Sequence, residues 1–172
     1  PPTASSFDFN GVQIIHQRTP SPLISVGVVF KGRHAREDSS LAGLESLLLE
    51  MLVHGGTHYR KPREVKARAE AIGAQFETDI RLDHSLLMMQ CSKRNFEDGW
   101  QLLSEMLLEP AFLPPVFGRV VGNSQEKMRL RPDSELFDPI YDAVDNTLHY
   151  AHPYRLPLEG TPTSIKNLRN DA

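Results

Sequence analysis

At 172 residues the chain supplies enough length for one domain, or at most one large and one vestigial. Its hydrophobic fraction of 40% and charged fraction of 24% are ordinary for a globular protein, and no run approaches the roughly 18 consecutive apolar residues of a membrane span. A net charge of −3 without a Lys/Arg block leaves no electrostatic footprint for a nucleic-acid or polybasic membrane partner. The single cysteine, Cys91, cannot form an internal disulfide; beside Leu86-Leu87-Met88-Met89 it reads as a buried, inert thiol. Pro1-Pro2 stands where a starting methionine would, so the sequence reads as a fragment or mature segment with any signal peptide out of view.

In chain order, residues 1–8 read as a linker. Phe9-Asn10-Gly11 offers an Asn-Gly turn, after which Val12 and Ile14 alternate as a strand does. Thr19-Pro20-Ser21-Pro22 breaks the chain before Ile24–Phe30, a β-branched run that reads as a central strand. The short connection predicts that these two strands pair antiparallel. Residues 31–40 are polar, and Asp38-Ser39-Ser40 supplies N-cap candidates for the helix that follows. In that helix, Gly43–Thr57, residues Leu44, Leu47, Leu48, Met51 and Leu52 form one stripe at helical spacing, expected to face the core. A second face carries Ser46, Leu49, Glu50 and Val53, and Gly55-Gly56 ends the helix.

A second helix is predicted over Pro62–Ile72, with proline in its first turn and Gly73 closing it. Ala74–Ile80 and Ser85–Cys91 read as a hairpin around Arg81-Leu82-Asp83-His84. Phe96–Leu108 is a strong amphipathic helix carrying Trp100, Leu103, Met106 and Leu107. Pro110–Pro115 interrupts, further helices are expected over Val116–Arg131 and Ser134–Tyr150, and the proline-rich end reads as loop. No repeat recurs at a fixed period. The order β-β-α-α-β-β-α-α-α predicts a single α+β domain over residues 9–168, an antiparallel sheet with helices packed on one face. The sheet's other face is then solvated or covered by something outside this chain. Residues 169–172 read as the start of a linker to a further domain.

Several stretches match one family in order: Phe9-Asn10-Gly11-Val12; Gly32 with Arg36-Glu37; Gly43-Leu44 with Met51-Leu52 and Gly56-Thr57; Ile72-Gly73-Ala74; and His152-Pro153-Tyr154 with Gly160-Thr161 and Ile165. On these residues, which span nearly all of 7–168, the chain resembles the insulinase-like (pitrilysin) zinc metallopeptidases and their non-catalytic relatives, the processing-peptidase and respiratory core subunits. The resemblance implies a central helix built around the inverted zinc motif H-x-x-E-H. Two imidazoles at i and i+4 reach one tetrahedral ion, the glutamate beside the second histidine is base for the metal-bound water, and a downstream glutamate completes the ligands.

Aligned without a gap, the histidine positions fall on Ser46 and Glu50 and the base position on Leu49. A shift of one residue, absorbing the extra glycine, keeps Glu50 as base but puts Leu47 and Met51 at the histidine positions. In both registers the imidazoles are gone. The downstream glutamate falls on Glu126, 76 residues after Glu50, a possible remnant whose plainer reading is a solvated helix residue. Other donors converge poorly: Glu50 and His54 are at i and i+4 with His58 nearby, but Gly55-Gly56 ends the helix between the histidines. His16, His34 and His84 are isolated, and His149 and His152 belong to a corner resembling the family's H-P-Y element.

The resemblance therefore implies a non-catalytic domain without a metal or cofactor of its own. Zinc is expected in a catalytic metallopeptidase half, in the same chain or a partner subunit, and the two halves would enclose a chamber around unfolded peptide. No nucleic acid and no membrane span are expected, and bacterial relatives are often exported, which points by resemblance to the periplasm. Family halves comprise two such domains, of which this length supplies about one. The rival reading is a structural or assembly subunit resembling the respiratory core proteins, with no role in proteolysis. A third is an active hydrolase with relocated ligands.

Overall fold

Asn10 and Gly11 both adopt positive φ, 52° and 81°, the backbone of a two-residue turn whose twist matches that of paired strands. The Asp8 carboxylate accepts from the Gly11 amide at 3.0 Å and tightens that turn. The result is a hairpin of β1 (Ala4–Phe9) and β2 (Val12–Gln17), in register from Phe9↔Val12 to Ala4↔Gln17. The structure, a computed structural model, describes residues 4–32, 38–130, 144, 147–148 and 152–168. Residues 4–8 are thus strand where a linker is expected, because the turn propagates pairing in both directions.

The second expectation to be corrected is the pairing of β2 with the next strand, β3 (Leu23–Lys31). The two lie in separate sheets: β1-β2, and a three-stranded antiparallel sheet in the order β3-β5-β4, with β4 over Gln75–Ile80 and β5 over His84–Ser92. The connection bends at Pro20 and Pro22, which supply no amide to close a hairpin turn. β5 is the central strand. Its Ser85, Leu87, Met89 and Cys91 are buried against the helices, while Leu86, Met88 and Gln90 take the opposite face. Burial pushes the Cys91 thiol pKa upward.

The helices are α1 (Leu44–His54), α2 (Pro62–Ile72), α3 (Phe96–Leu108), α4 (Pro114–Leu130) and α5 (Pro162–Asn167). Two apolar clusters form. One joins Leu49 and Leu52 of α1 to Val65, Ile72, Leu87, Met89, Leu102 and Leu103; the other joins Leu47 and Met51 to Val116, Val120, Ile165 and Leu168. α1 lies between the two. A helix expected within 134–150 falls outside the described residues, save 144 and 147–148, as do Arg36, Glu37, His34, His149 and residues 169–172. The end of the chain is not all loop: Thr161 caps α5, its hydroxyl accepting from the Ser164 amide at 3.0 Å while Pro162 occupies the first turn. The architecture is α+β, antiparallel sheets with helices. Among the described residues no helix is long and apolar enough to cross a membrane.

Candidate functional site

The position of α1 between two clusters fixes which side chains face outward. Helical geometry puts Leu49 and Leu52 on one side and Leu47 and Met51 on nearly the opposite side, and both sides are buried. Leu44 and Leu48, expected in the core, are instead 40% and 41% exposed, whereas Leu49, expected on the outward face, is 2% exposed. A single-stripe pattern fails here because the helix buries two faces. What remains open on one flank is a strip at i, i+4 and i+8: Ser46, Glu50 and His54.

The N-terminus of α1 is held from the other end of the chain. Its N-cap is Gly43 at φ 86°, with no side-chain cap. Asp38, expected as a cap, closes the preceding turn: its carboxylate accepts from the Ser40 hydroxyl and the Ser40 and Leu41 amides, which lower its pKa. The Gly43 and Gly160 backbones touch, and the Ser164 hydroxyl donates to the Ala42 carbonyl at 2.7 Å. The Ser85 hydroxyl of β5 donates to the Glu45 carboxylate, and α4 crosses beside the strip. The expected corner at His152 and Tyr154 therefore belongs to a segment that clamps α1. Within it the His152 and Tyr154 rings meet edge to face at 4.2 Å, and the Tyr154 hydroxyl donates to Asp83.

On the open strip the Glu50 carboxylate lies 3.8 Å from the Lys127 ammonium of α4 and 3.5 Å from His54 Nε2. Glu126, the expected remnant, is engaged by Arg129 of its own helix through two hydrogen bonds, 2.8 and 3.0 Å. No hydrogen bond or ion pair among the described residues joins Glu126 to α1. The structure thus brings Glu50, His54 and Lys127 together and leaves Glu126 apart. Lys127 escapes a reading of the sequence that looks for donors to a cation and not for a cation; its place directly after Glu126 is the signal that could have found it.

Ser46 is partly buried, and in the one-residue shift Leu47 and Met51 are both core residues. His16 and His84 lie exposed on strands, and His58 is exposed in the turn after α1, its amide donating to the Glu109 carbonyl. The donor set on the strip does not fit zinc, which takes nitrogen, sulfur or carboxylate ligands in a tetrahedron. It offers the Ser46 hydroxyl, the His54 imidazole and one carboxylate already beside an ammonium, so a single imidazole and a single carboxylate fall short of the three protein ligands a catalytic zinc needs. Among the described residues no three His, Cys, Asp or Glu side chains converge to hold a metal ion.

The profile of the family described as Insulinase (Peptidase family M16) matches residues 13–158. No curated protein matches the chain. Among solved structures, a protease from Helicobacter pylori superposes with a TM-score of 0.86 at 20% identity, covering 98% of this chain and 41% of that one. A peptidase M16 inactive domain from Pseudomonas fluorescens superposes with a TM-score of 0.84 at 16% identity, covering 96% and 40%. The chain therefore spans about two fifths of either structure, and at these identities the likeness establishes the fold.

Proposed function

This chain belongs to the insulinase family of peptidases, peptidase family M16, and from that premise we propose that it is a non-catalytic domain of a zinc metalloprotease. In this reading it shapes the chamber and holds unfolded peptide beside a catalytic half that carries the zinc. The observation that carries it is the open strip of α1. Where the family's chemistry needs two imidazoles and a base, this helix has Ser46, Glu50 and Leu49; Leu49 is packed into the core, and Glu50 already sits between Lys127 and His54. A glutamate in place of Leu49 would carry a charge among apolar side chains at large cost.

The surfaces left open support a partner half. The β1-β2 hairpin turns Phe7, Phe9, Val12 and Ile14 to one face by its register, and Phe9 and Val12 are more than 60% exposed. A two-stranded hairpin with an uncovered apolar face is marginal in water, so a packing partner from the remainder of the protease, or from a second subunit, stabilises it. The outer face of β3-β5-β4, with Leu23, Val29 and Met88, is available in the same way. The test is the purified chain incubated with zinc and a labelled unfolded peptide. No turnover is expected; turnover abolished by a chelator overturns the reading.

A further inference from the structure

The geometry points to a docking groove, between the 57–64 turn and α3, for a protein partner that presents a lysine or arginine beside an apolar side chain. The groove is shallow and open to solvent, with about 780 Å³ of space above its floor, a shape suited to a docked side-chain pair and not to an engulfed small molecule. Its floor is Glu105, buried, whose carboxylate accepts from the Arg60 guanidinium and, at 3.1 Å, from the Gln101 amide. A buried carboxylate held on both sides is satisfied, so the floor is polar and in sum neutral.

The rim is not neutral. The Glu64 carboxylate accepts only the Lys61 amide, at 2.7 Å, and the Glu109 carboxylate has no ion pair or hydrogen bond among the described residues. Across the mouth stand Tyr59 and Leu108, 67% and 77% exposed. Outside the β1-β2 hairpin and Leu148, these are the most exposed large apolar side chains among the described residues. They flank the same opening as the two uncompensated carboxylates. A tyrosine face with acidic neighbours attracts an ammonium or guanidinium, and Leu108 offers apolar contact to the adjoining side chain. An acidic occupant meets two like charges.

The walls are held in advance. The Thr57 hydroxyl accepts from the Tyr59 and Arg60 amides at 3.2 and 3.0 Å, and Thr57 bridges to Pro110 beyond the end of α3. Little ordering is then left for binding to supply.

The probe is a short fluorescein-labelled peptide bearing an Arg-Leu pair, compared by fluorescence anisotropy with its Glu-Leu counterpart. Glu109→Lys and Leu108→Ser, both at exposed positions, are checked for an unchanged unfolding midpoint. The Arg-Leu peptide is expected to bind saturably and the Glu-Leu peptide not. Each variant should weaken binding about two- to fivefold, and added salt should weaken it further. Equal affinity for both peptides, unaltered affinity in the variants, or no saturable binding up to about 1 mM overturns the assignment.

Discussion

Gly160→Ala tests the clamp on α1. Gly160 has φ 83°, and a Cβ there would stand 2.4 Å from the Ala42 carbonyl oxygen and 3.1 Å from the Gly43 Cα. Both obstacles are backbone, so no side-chain rotation relieves them. The left-handed conformation costs a non-glycine residue about 1–2 kcal/mol, and the overlap adds about 1–3 kcal/mol as overpacking does. The stiffer unfolded chain returns about 0.4–1 kcal/mol. The net loss is roughly 2–4 kcal/mol, a large share of the 5–15 kcal/mol of an ordinary domain. Urea unfolding reads it directly: at an m-value of about 1–3 kcal/mol/M, the midpoint falls by on the order of 1–2 M. Gly118→Ala is the control, since that glycine lies within α4 and a Cβ added to it would meet nothing within 4 Å; it should stabilise by about 0.5–1 kcal/mol. If Gly160→Ala proves as stable as Gly118→Ala, the clamp is not there.

Three further outcomes follow from the same geometry. Leu49→Ala should cost about 2–5 kcal/mol in urea unfolding, as buried leucines do, while Leu48→Ala at its exposed position should cost less than about 1 kcal/mol; the reverse order would mean that the helix presents the opposite face to the core. Lys127→Met breaks an ion pair whose partners are 69% and 34% exposed, so after solvent screening the loss should stay within about 0–1 kcal/mol and shrink with added salt; a loss several times larger contradicts the open strip. The hydrogen bond from Tyr154 to Asp83 raises the tyrosine pKa above its ordinary value. Its contribution is therefore complete below the unfolded value of about 10 and is lost as pH rises through the folded one. Tyr154→Phe should remove that alkaline decline from a stability–pH profile, and an unchanged decline would refute the assignment.

Elements with strong local signals are legible in the sequence: α2 between Pro62 and Gly73, α3 from its apolar period, and the β4-β5 hairpin. β1 is not, because Ala4-Ser5-Ser6 reads as polar coil until the Asn10-Gly11 turn gives it a partner. α5 is hidden by prolines, although Thr161-Pro162 followed by Ser164 carries the chemistry of a helix start. The face of α1 escapes for a tertiary reason: periodicity identifies an apolar stripe, but only the neighbours show that Leu49 is inside and Leu48 outside. In the candidate site, Ser46, Leu49 and Glu50 are singled out by the resemblance to the family's H-x-x-E-H motif, whereas the contact of Glu50 with Lys127, made between two helices far apart in sequence, needs the fold.

Isothermal titration of the purified chain with zinc asks whether the open strip of α1 can hold a metal ion. On the proposed alignment Ser46, Leu49 and Glu50 stand at the imidazole and base positions, and no stoichiometric binding is expected at neutral pH. One equivalent bound tightly, released by chelator and lost in Glu50→Ala, would contradict that expectation.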